Sequence, residues 1–148
     1  MVKIEYVYWK DKIGGETAKL ETQAFSYGFT FGLHGAWEMA IANEDKEVKK
    51  NELVNIKIHE IKVPPKAIAL PCIVMRHALG LVAALASVGK PKIVEEGRVF
   101  DEAIFQPISD GLVHKGELLG VVNIFYASIE RRLARGATDK WLMERLRF

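Results

Sequence analysis

The chain has 148 residues, which fits one domain, and its hydrophobic (49%) and charged (27%) shares are those of a globular protein. No apolar run reaches the roughly 18 residues that cross a bilayer, and the N-terminus lacks the apolar core of a secretory signal, so neither a membrane nor a secreted protein is expected. Cys72 is the single cysteine, which excludes an internal disulfide and predicts a cytoplasmic location.

The net charge of +2 is unevenly placed along the chain. The segment from Ser128 onward contributes +3, so the residues before it sum to −1. A nucleic-acid-binding domain would spread positive charge over a whole face. We therefore expect no nucleic-acid partner and interpret the basic tail as a solvated helix face.

Alternating apolar and polar residues predict strands along most of the chain. In the first segment Ile4, Tyr6 and Tyr8 share a face, and the turn residues "DKIGG" before "TAKLETQAF" predict a hairpin. Pro71 predicts an edge strand or a bulge, because proline cannot donate to a sheet. The later strand-like segments are "YGFTFGLHGAWEMAIA", "ELVNIKIHEIKV", "KAIALPCIVM", "VFDEAIFQP" and "ELLGVVNIFYA".

A glycine-rich face marks the segment that begins at Tyr27. Gly28, Thr30, Gly32 and His34 alternate with bulky residues, so they lie on one face of the predicted strand. Glycines in a strand permit close approach of a ligand or of another backbone. Thr30 and His34 are therefore candidate ligand contacts, and tight subunit packing is the equal alternative.

Two segments have helical character. The region 77–88 suits either a helix, from its alanine and leucine content, or a buried strand between glycines, and we favour the strand. Residues 128–148 predict a helical extension, with Gly136 able to end a first short helix. The sequence thus predicts one β domain over 1–127 and a C-terminal extension over 128–148.

A short phrase occurs twice, 65 residues apart. "EDKEVKKNELVN" begins at Glu44 and "SDGLVHKGELLG" at Ser109, with an Asp, a Val, a Lys and a Glu-Leu step at equal spacing. Asn51 and Gly116 hold equivalent places, and both residue types enter the left-handed backbone region readily. The repeat predicts two look-alike halves of a small barrel, each with a tight turn and an inward leucine.

The order of phrases from Tyr27 onward resembles the β-clip fold of dUTPases and dCTP deaminases. "YGFTFG", "HEIKVPPKAIALPCIVMRHALGL", "KIVEEGRVF" and "VHKGELLGVVNIF" stand where that family has its successive motifs. The chain also resembles an uncharacterised archaeal family, a domain of unknown function numbered twenty-two. The β-clip resemblance implies a homo-oligomer, most simply a trimer.

The β-clip resemblance also implies site residues. Arg76 matches the family's phosphate-contacting arginine, with His77 in place of the usual serine and Thr30 in place of an early aspartate. Glu95 or Glu96 falls where the family has its water-activating or base carboxylate. A hydrolase of this type uses carboxylates to hold magnesium, and the missing aspartate weakens that metal site.

Arg76 and His77 are also the strongest candidates from residue chemistry alone. A guanidinium with five donors beside a titratable imidazole can hold an anion, and a surface ion pair is the alternative reading. No histidine or cysteine pair shows the close spacing of a metal motif, so no metal site is predicted.

The sequence leaves two functions open. The first is a non-catalytic binding or assembly module that holds a small anionic ligand near Arg76. The second is a magnesium-dependent nucleotide-processing enzyme that uses Arg76, His77 and Glu95 or Glu96. We favour the first, because a threonine replaces the aspartate of the enzymes.

Overall fold

The computed structural model of the protein describes residues 2–24, 28–30, 34–87, 92 and 96–126. The described residues form eleven strands and no helix, which confirms the all-β class, and none of them forms a helix able to cross a membrane. The predicted helical extension, residues 128–148, lies outside the described residues. The strands are β1 (Val2–Trp9), β2 (Thr17–Ala24), β3 (Gly28–Thr30), β4 (His34–Ile41), β5 (Lys46–Val48), β6 (Val54–Val63), β7 (Ala67–Pro71), β8 (Gly80–Ala86), β9 (Arg98–Pro107), β10 (Gly111–Val113) and β11 (Leu118–Tyr126).

The strands form four open sheets. Their orders are β1-β2, β5-β10, β3-β4-β11-β7 and β6-β9-β8. The predicted closed barrel is wrong, because closure needs edge strands to pair, and the short β5 and β10 bond to each other instead. Pro71 ends β7 at the edge of the four-stranded sheet, as its missing N–H predicted.

The hydrophobic core lies between the two larger sheets. Ile56 and Phe105 from the β6-β9-β8 sheet are fully buried in one cluster with Val122 and Ile124 of β11. These residues are alternate positions of their strands, so each sheet turns one apolar face inward. Burying such side chains stabilises the fold by about 1.5–3 kcal/mol each.

The region 77–88 contains a strand, as predicted, at Gly80–Ala86. Gly80 begins this strand and lies close against β9. A Cβ at this position would lie 2.3 Å from the carbonyl oxygen of Gln106 and 2.9 Å from the ring of Phe105. Only glycine therefore allows β8 to approach β9 this closely.

The N-terminal hairpin forms as predicted, with β1 antiparallel to β2 in a register that pairs Val7 with Lys19. The buried residues of β1 are Ile4 and Val7, three positions apart, and Tyr8 is 48% exposed. The face that Ile4, Tyr6 and Tyr8 share therefore does not coincide with the buried residues of the strand. The strand buries side chains on both of its faces because it contacts two parts of the body.

The two copies of the repeated phrase have equivalent geometry and contact each other. β5 and β10 pair antiparallel, and the aspartate of each copy accepts a hydrogen bond from a backbone N–H of the other. The Lys50 N–H donates to Asp110 Oδ1 at 2.7 Å, and the Lys115 N–H donates to Asp45 Oδ1 at 2.8 Å. Asn51 and Gly116 both have positive φ, 64° and 92°. The repeat in sequence is therefore a local two-fold relation in space.

The strands that flank the two copies are exchanged between the halves. The 65-residue spacing makes β4 equivalent to β9 and β6 equivalent to β11. β11 pairs with β4, whereas β6 pairs with β9. The last strand of each half thus completes the sheet of the other, and neither half has a sheet of its own.

The equivalence ends at the glutamate-leucine step. Leu118 is buried, but Leu53 is 64% exposed, so the inward leucine predicted for the first copy is wrong. Glu117 is buried and Glu52 is exposed. The difference arises because β1 lies along the second copy, where the N–H of Glu5 donates to the carbonyl of Gly116 at 3.2 Å and Ile4 packs on Leu118.

Candidate functional site

A polar pair is buried beneath the N-terminal hairpin. Within the described residues, His77 and Glu117 are the buried polar or charged side chains, each 1% exposed. His77 Nε2 lies 2.7 Å from Glu117 Oε2. The rings of Phe105 and His77 are nearly perpendicular, with their centres 6.0 Å apart. A buried charge requires such partners, because its unpaired form costs several kcal/mol.

The hydrogen bonds of His77 determine its tautomer. The backbone N–H of Leu79 donates to Nδ1 at 3.1 Å, so Nδ1 carries no proton. Nε2 therefore carries the proton of the neutral ring and donates it to the Glu117 carboxylate. Both ring nitrogens are used inside the protein.

Lys19 of β2 extends the pair into a three-residue network. Its Nζ lies 2.7 Å from Glu117 Oε1, and its side chain is 48% exposed while that of Glu117 is 1% exposed. Oε1 has no aligned hydrogen bond, so the contact is an ion pair that closes the outer side of the carboxylate. The Lys19–Glu117–His77 network thus joins the hairpin to two segments of the body.

The network keeps Glu117 ionised. Burial opposes ionisation and by itself raises the pKa, but the hydrogen bond from His77, the contact with Lys19 and a backbone hydrogen bond from His114 outweigh it. The pKa of Glu117 is lowered from 4.5 to about 2. The contact with Glu117 also raises the pKa of Lys19. The network therefore holds an ionised carboxylate between the Lys19 ammonium and the His77 ring.

β1 docks on both segments that carry the buried pair. Its Glu5 pairs in parallel with Glu117, and its Val7 pairs in parallel with His77. The Ala78 N–H donates to the carbonyl of Val7 at 2.7 Å. The position of the hairpin is thus fixed by backbone hydrogen bonds, the ion pair and the buried Ile4 and Val7.

A cavity of about 220 Å³ lies where β1 meets the segment before β8. It is lined by residues 6–9 of β1 and by residues 75–78, and we name it the Arg76 cavity. Tyr6 and Trp9 are half-buried, and Arg76 is exposed. Because one whole wall belongs to the hairpin, the cavity exists only while the hairpin is docked.

Trp9 has a buried indole Nε1 without a hydrogen-bond acceptor among the described residues. Its side chain borders the Arg76 cavity and also a second one of about 350 Å³, which Lys50 and Asp110 line from the other side. An unsatisfied buried donor costs about 1–3 kcal/mol. Trp9 thus lines both cavities and carries an unpaired donor that is itself buried.

The structure brings together only part of the predicted site. Arg76 and His77 both line the Arg76 cavity, but the His77 ring is turned into the protein, toward Glu117. Glu96 is exposed on the bend before β9. Glu95 lies outside the described residues, as do the side chains of Thr30 and His34, whose backbones pair between β3 and β4.

No metal cluster occurs in the part of the chain that the structure describes: no three His, Cys, Asp or Glu side chains there are placed to hold one ion. His59 is exposed, and His114 Nδ1 lies 3.8 Å from Asp45 Oδ1. Among the described residues, neither histidine therefore forms a metal-binding group with His77.

Sequence reasoning missed Lys19, Glu117 and the aromatic wall of β1. Glu117 had a signal, since it is one of two glutamates at equivalent places of the repeat. Nothing in the sequence distinguished it from Glu52, because the difference is the docked hairpin. Lys19 had no signal, because its contact spans almost a hundred residues.

Comparison with known proteins places the chain in a family. Residues 1–111 match the family described as "Domain of unknown function DUF22", a span that contains Lys19, Arg76 and His77 but not Glu117. The chain is 36% identical over 90 residues to the uncharacterized protein MJ0614 of Methanocaldococcus jannaschii, which covers 61% of this chain and 68% of that protein. No solved structure matches the chain. These matches confirm the resemblance to an uncharacterised archaeal family, and they do not confirm the resemblance to dUTPases. The chain belongs to the DUF22 family.

Proposed function

We propose that the protein is a non-catalytic binding module that holds a small anionic ligand at Arg76. The observation that carries the proposal is the place of Arg76, exposed at a cavity of about 220 Å³. Among the described hydrogen bonds and ion pairs none involves its guanidinium. Its five N–H donors are therefore available to a carboxylate or a phosphate.

The engaged state of His77 supports binding over catalysis. A general base needs a nitrogen lone pair within reach of the substrate proton. Nδ1 of His77 already accepts the Leu79 N–H, and Nε2 donates to Glu117. In this arrangement His77 positions the segment that carries Arg76 and has no free nitrogen for proton transfer. The magnesium-dependent enzyme is therefore the less supported alternative.

Thermal unfolding with inorganic phosphate and with dUTP and dCTP, each with and without magnesium, tests the proposal. A ligand at one hundred times its Kd stabilises a protein by about 2.7 kcal/mol, which for this length raises Tm by about 5–10 °C. We expect a rise with at least one anion that is lost in Arg76→Gln. Lys62→Ala, which removes an exposed cation from β6, is the control and should keep the rise.

Two results would oppose the proposal. Equal Tm rises in wild type and Arg76→Gln would show that the anion binds elsewhere. Hydrolysis or deamination of dUTP or dCTP in the magnesium samples, lost in Arg76→Gln, would show that the module is an enzyme.

A further inference from the structure

We infer that the ligand of the Arg76 cavity is a single aromatic ring that carries one anionic group. The inference rests on the proposed function and adds to it the body of the ligand. It follows from three properties of the cavity: the rings in its wall, the donor character of its charged group, and its size.

The wall that β1 contributes is aromatic. Tyr6, Tyr8 and Trp9 line the cavity within four consecutive residues, and Met75 lies across from them. Aromatic rings pair face to face with an offset or edge to face, and a methionine sulfur also contacts rings favourably. A flat apolar body is the shape that such a wall accommodates.

The charged group of the cavity is a donor, and its two tyrosine hydroxyls can donate as well as accept. The Arg76 guanidinium can only donate hydrogen bonds, and both nitrogens of His77 are engaged. No carboxylate is found among the described residues that line this cavity. The complementary ligand is therefore rich in acceptors and negatively charged.

The cavity is large enough for a substituted ring. A cavity of about 150 Å³ in a protein core holds benzene, and the Arg76 cavity has about 220 Å³. The additional space suits one substituent of a few atoms. A ring in the aromatic part would thus place its anionic group near Arg76.

Three fluorinated probes separate the ring from the charge. 4-Fluorobenzoate has both, 4-fluorobenzyl alcohol has the ring alone, and fluoroacetate has the charge alone. Their dissociation constants follow from ¹⁹F NMR titrations of the full chain. We expect 4-fluorobenzoate to bind at least tenfold more tightly than either other probe. Arg76→Gln should weaken its binding about tenfold or more, since charge-assisted hydrogen bonds are among the strong ones.

A second variant tests the aromatic wall without loss of the fold. Tyr8 is 48% exposed, so Tyr8→Ala leaves the buried contacts of β1 in place. It should weaken 4-fluorobenzoate about two- to tenfold and leave fluoroacetate unchanged.

The outcomes distinguish the two proposals. Equal, Arg76-dependent binding of fluoroacetate and 4-fluorobenzoate would overturn the aromatic ligand and keep the anion site. Equal binding of 4-fluorobenzoate to wild type and Arg76→Gln, or no binding of any probe or of phosphate, would overturn both.

Discussion

Replacing Glu117 by glutamine preserves the shape of the side chain and removes its charge. In the native protein one carboxylate oxygen accepts the His77 Nε2–H, and the other faces Lys19 Nζ, each at 2.7 Å. The amide of the variant can satisfy one of these partners. Its NH₂ group then points at the other, which is also a donor, so one contact of the buried network is lost.

The expected cost follows from the burial of the network. Removing one partner of a buried charged pair destabilises a protein by about 3–5 kcal/mol. Lys19 is half-exposed and can turn to solvent, so we expect the lower value, about 3 kcal/mol. For a chain of this length that lowers Tm by about 6–12 °C.

The repeat supplies the matched control. Glu52→Gln makes the same change at the equivalent turn, where the side chain is exposed, and should alter stability by less than about 0.5 kcal/mol. Urea unfolding followed by tryptophan fluorescence measures both variants, with the slope compared to detect partial unfolding. Equal, small effects of the two substitutions would refute the buried network and the docked position of the hairpin.

The remaining predictions concern pH, backbone conformation and assembly. Because its pKa is lowered, ionised Glu117 contributes stability that is complete above the ordinary pKa of 4.5 and is lost as pH falls toward about 2. The difference in unfolding free energy between wild type and Glu117→Gln, about 3 kcal/mol at pH 7, should therefore shrink over that range in urea titrations. A difference that stays constant with pH would contradict the lowered pKa. Gly116 has φ 92° and open space around its missing Cβ, so Gly116→Asn, which copies Asn51, should cost less in thermal unfolding than Gly116→Val by about 1 kcal/mol or more; equal costs would contradict this. Self-association stays a prediction, and light scattering should give a mass that is a multiple of 16.6 kDa. The mass should be lower for Ile73→Ser, because Ile73 is 92% exposed beside the edge strand β7. A monomer mass for wild type at micromolar concentration would exclude self-association.

The sequence predicted local structure well where apolar and polar residues alternate along one strand. The alternating residues of "ELVNIKIHEIKV" predicted the strand β6, and Pro71 predicted an edge strand or a bulge, of which the structure shows the edge. The repeat gave two equivalent turns, because aspartate and a residue tolerant of positive φ are required by the backbone itself. These features depend on residues close to one another in the chain.

Features that depend on distant contacts were not predictable in the same way. The predicted barrel was wrong because the alternation of residues does not reveal which strands pair, and the structure places β6 at the edge of an open sheet with β9 and β8. Leu53 was expected inside because the shared turn pattern predicted an inward leucine in both copies, although only Leu118 lies beneath β1. Arg76 and His77 were predicted from their chemistry, whereas the residues of β1 and β2 beside them belong to strands that carried no chemical motif.

The most direct test of the account is a two-dimensional ¹H–¹⁵N NMR titration of the native chain with 4-fluorobenzoate. We expect chemical-shift changes to concentrate at residues 6–9 and 75–78, with a shift of the Trp9 indole N–H and of the Arg76 side chain. Changes centred on another part of the protein, with those two segments unaffected, would show that the cavity beneath the hairpin is not a binding site.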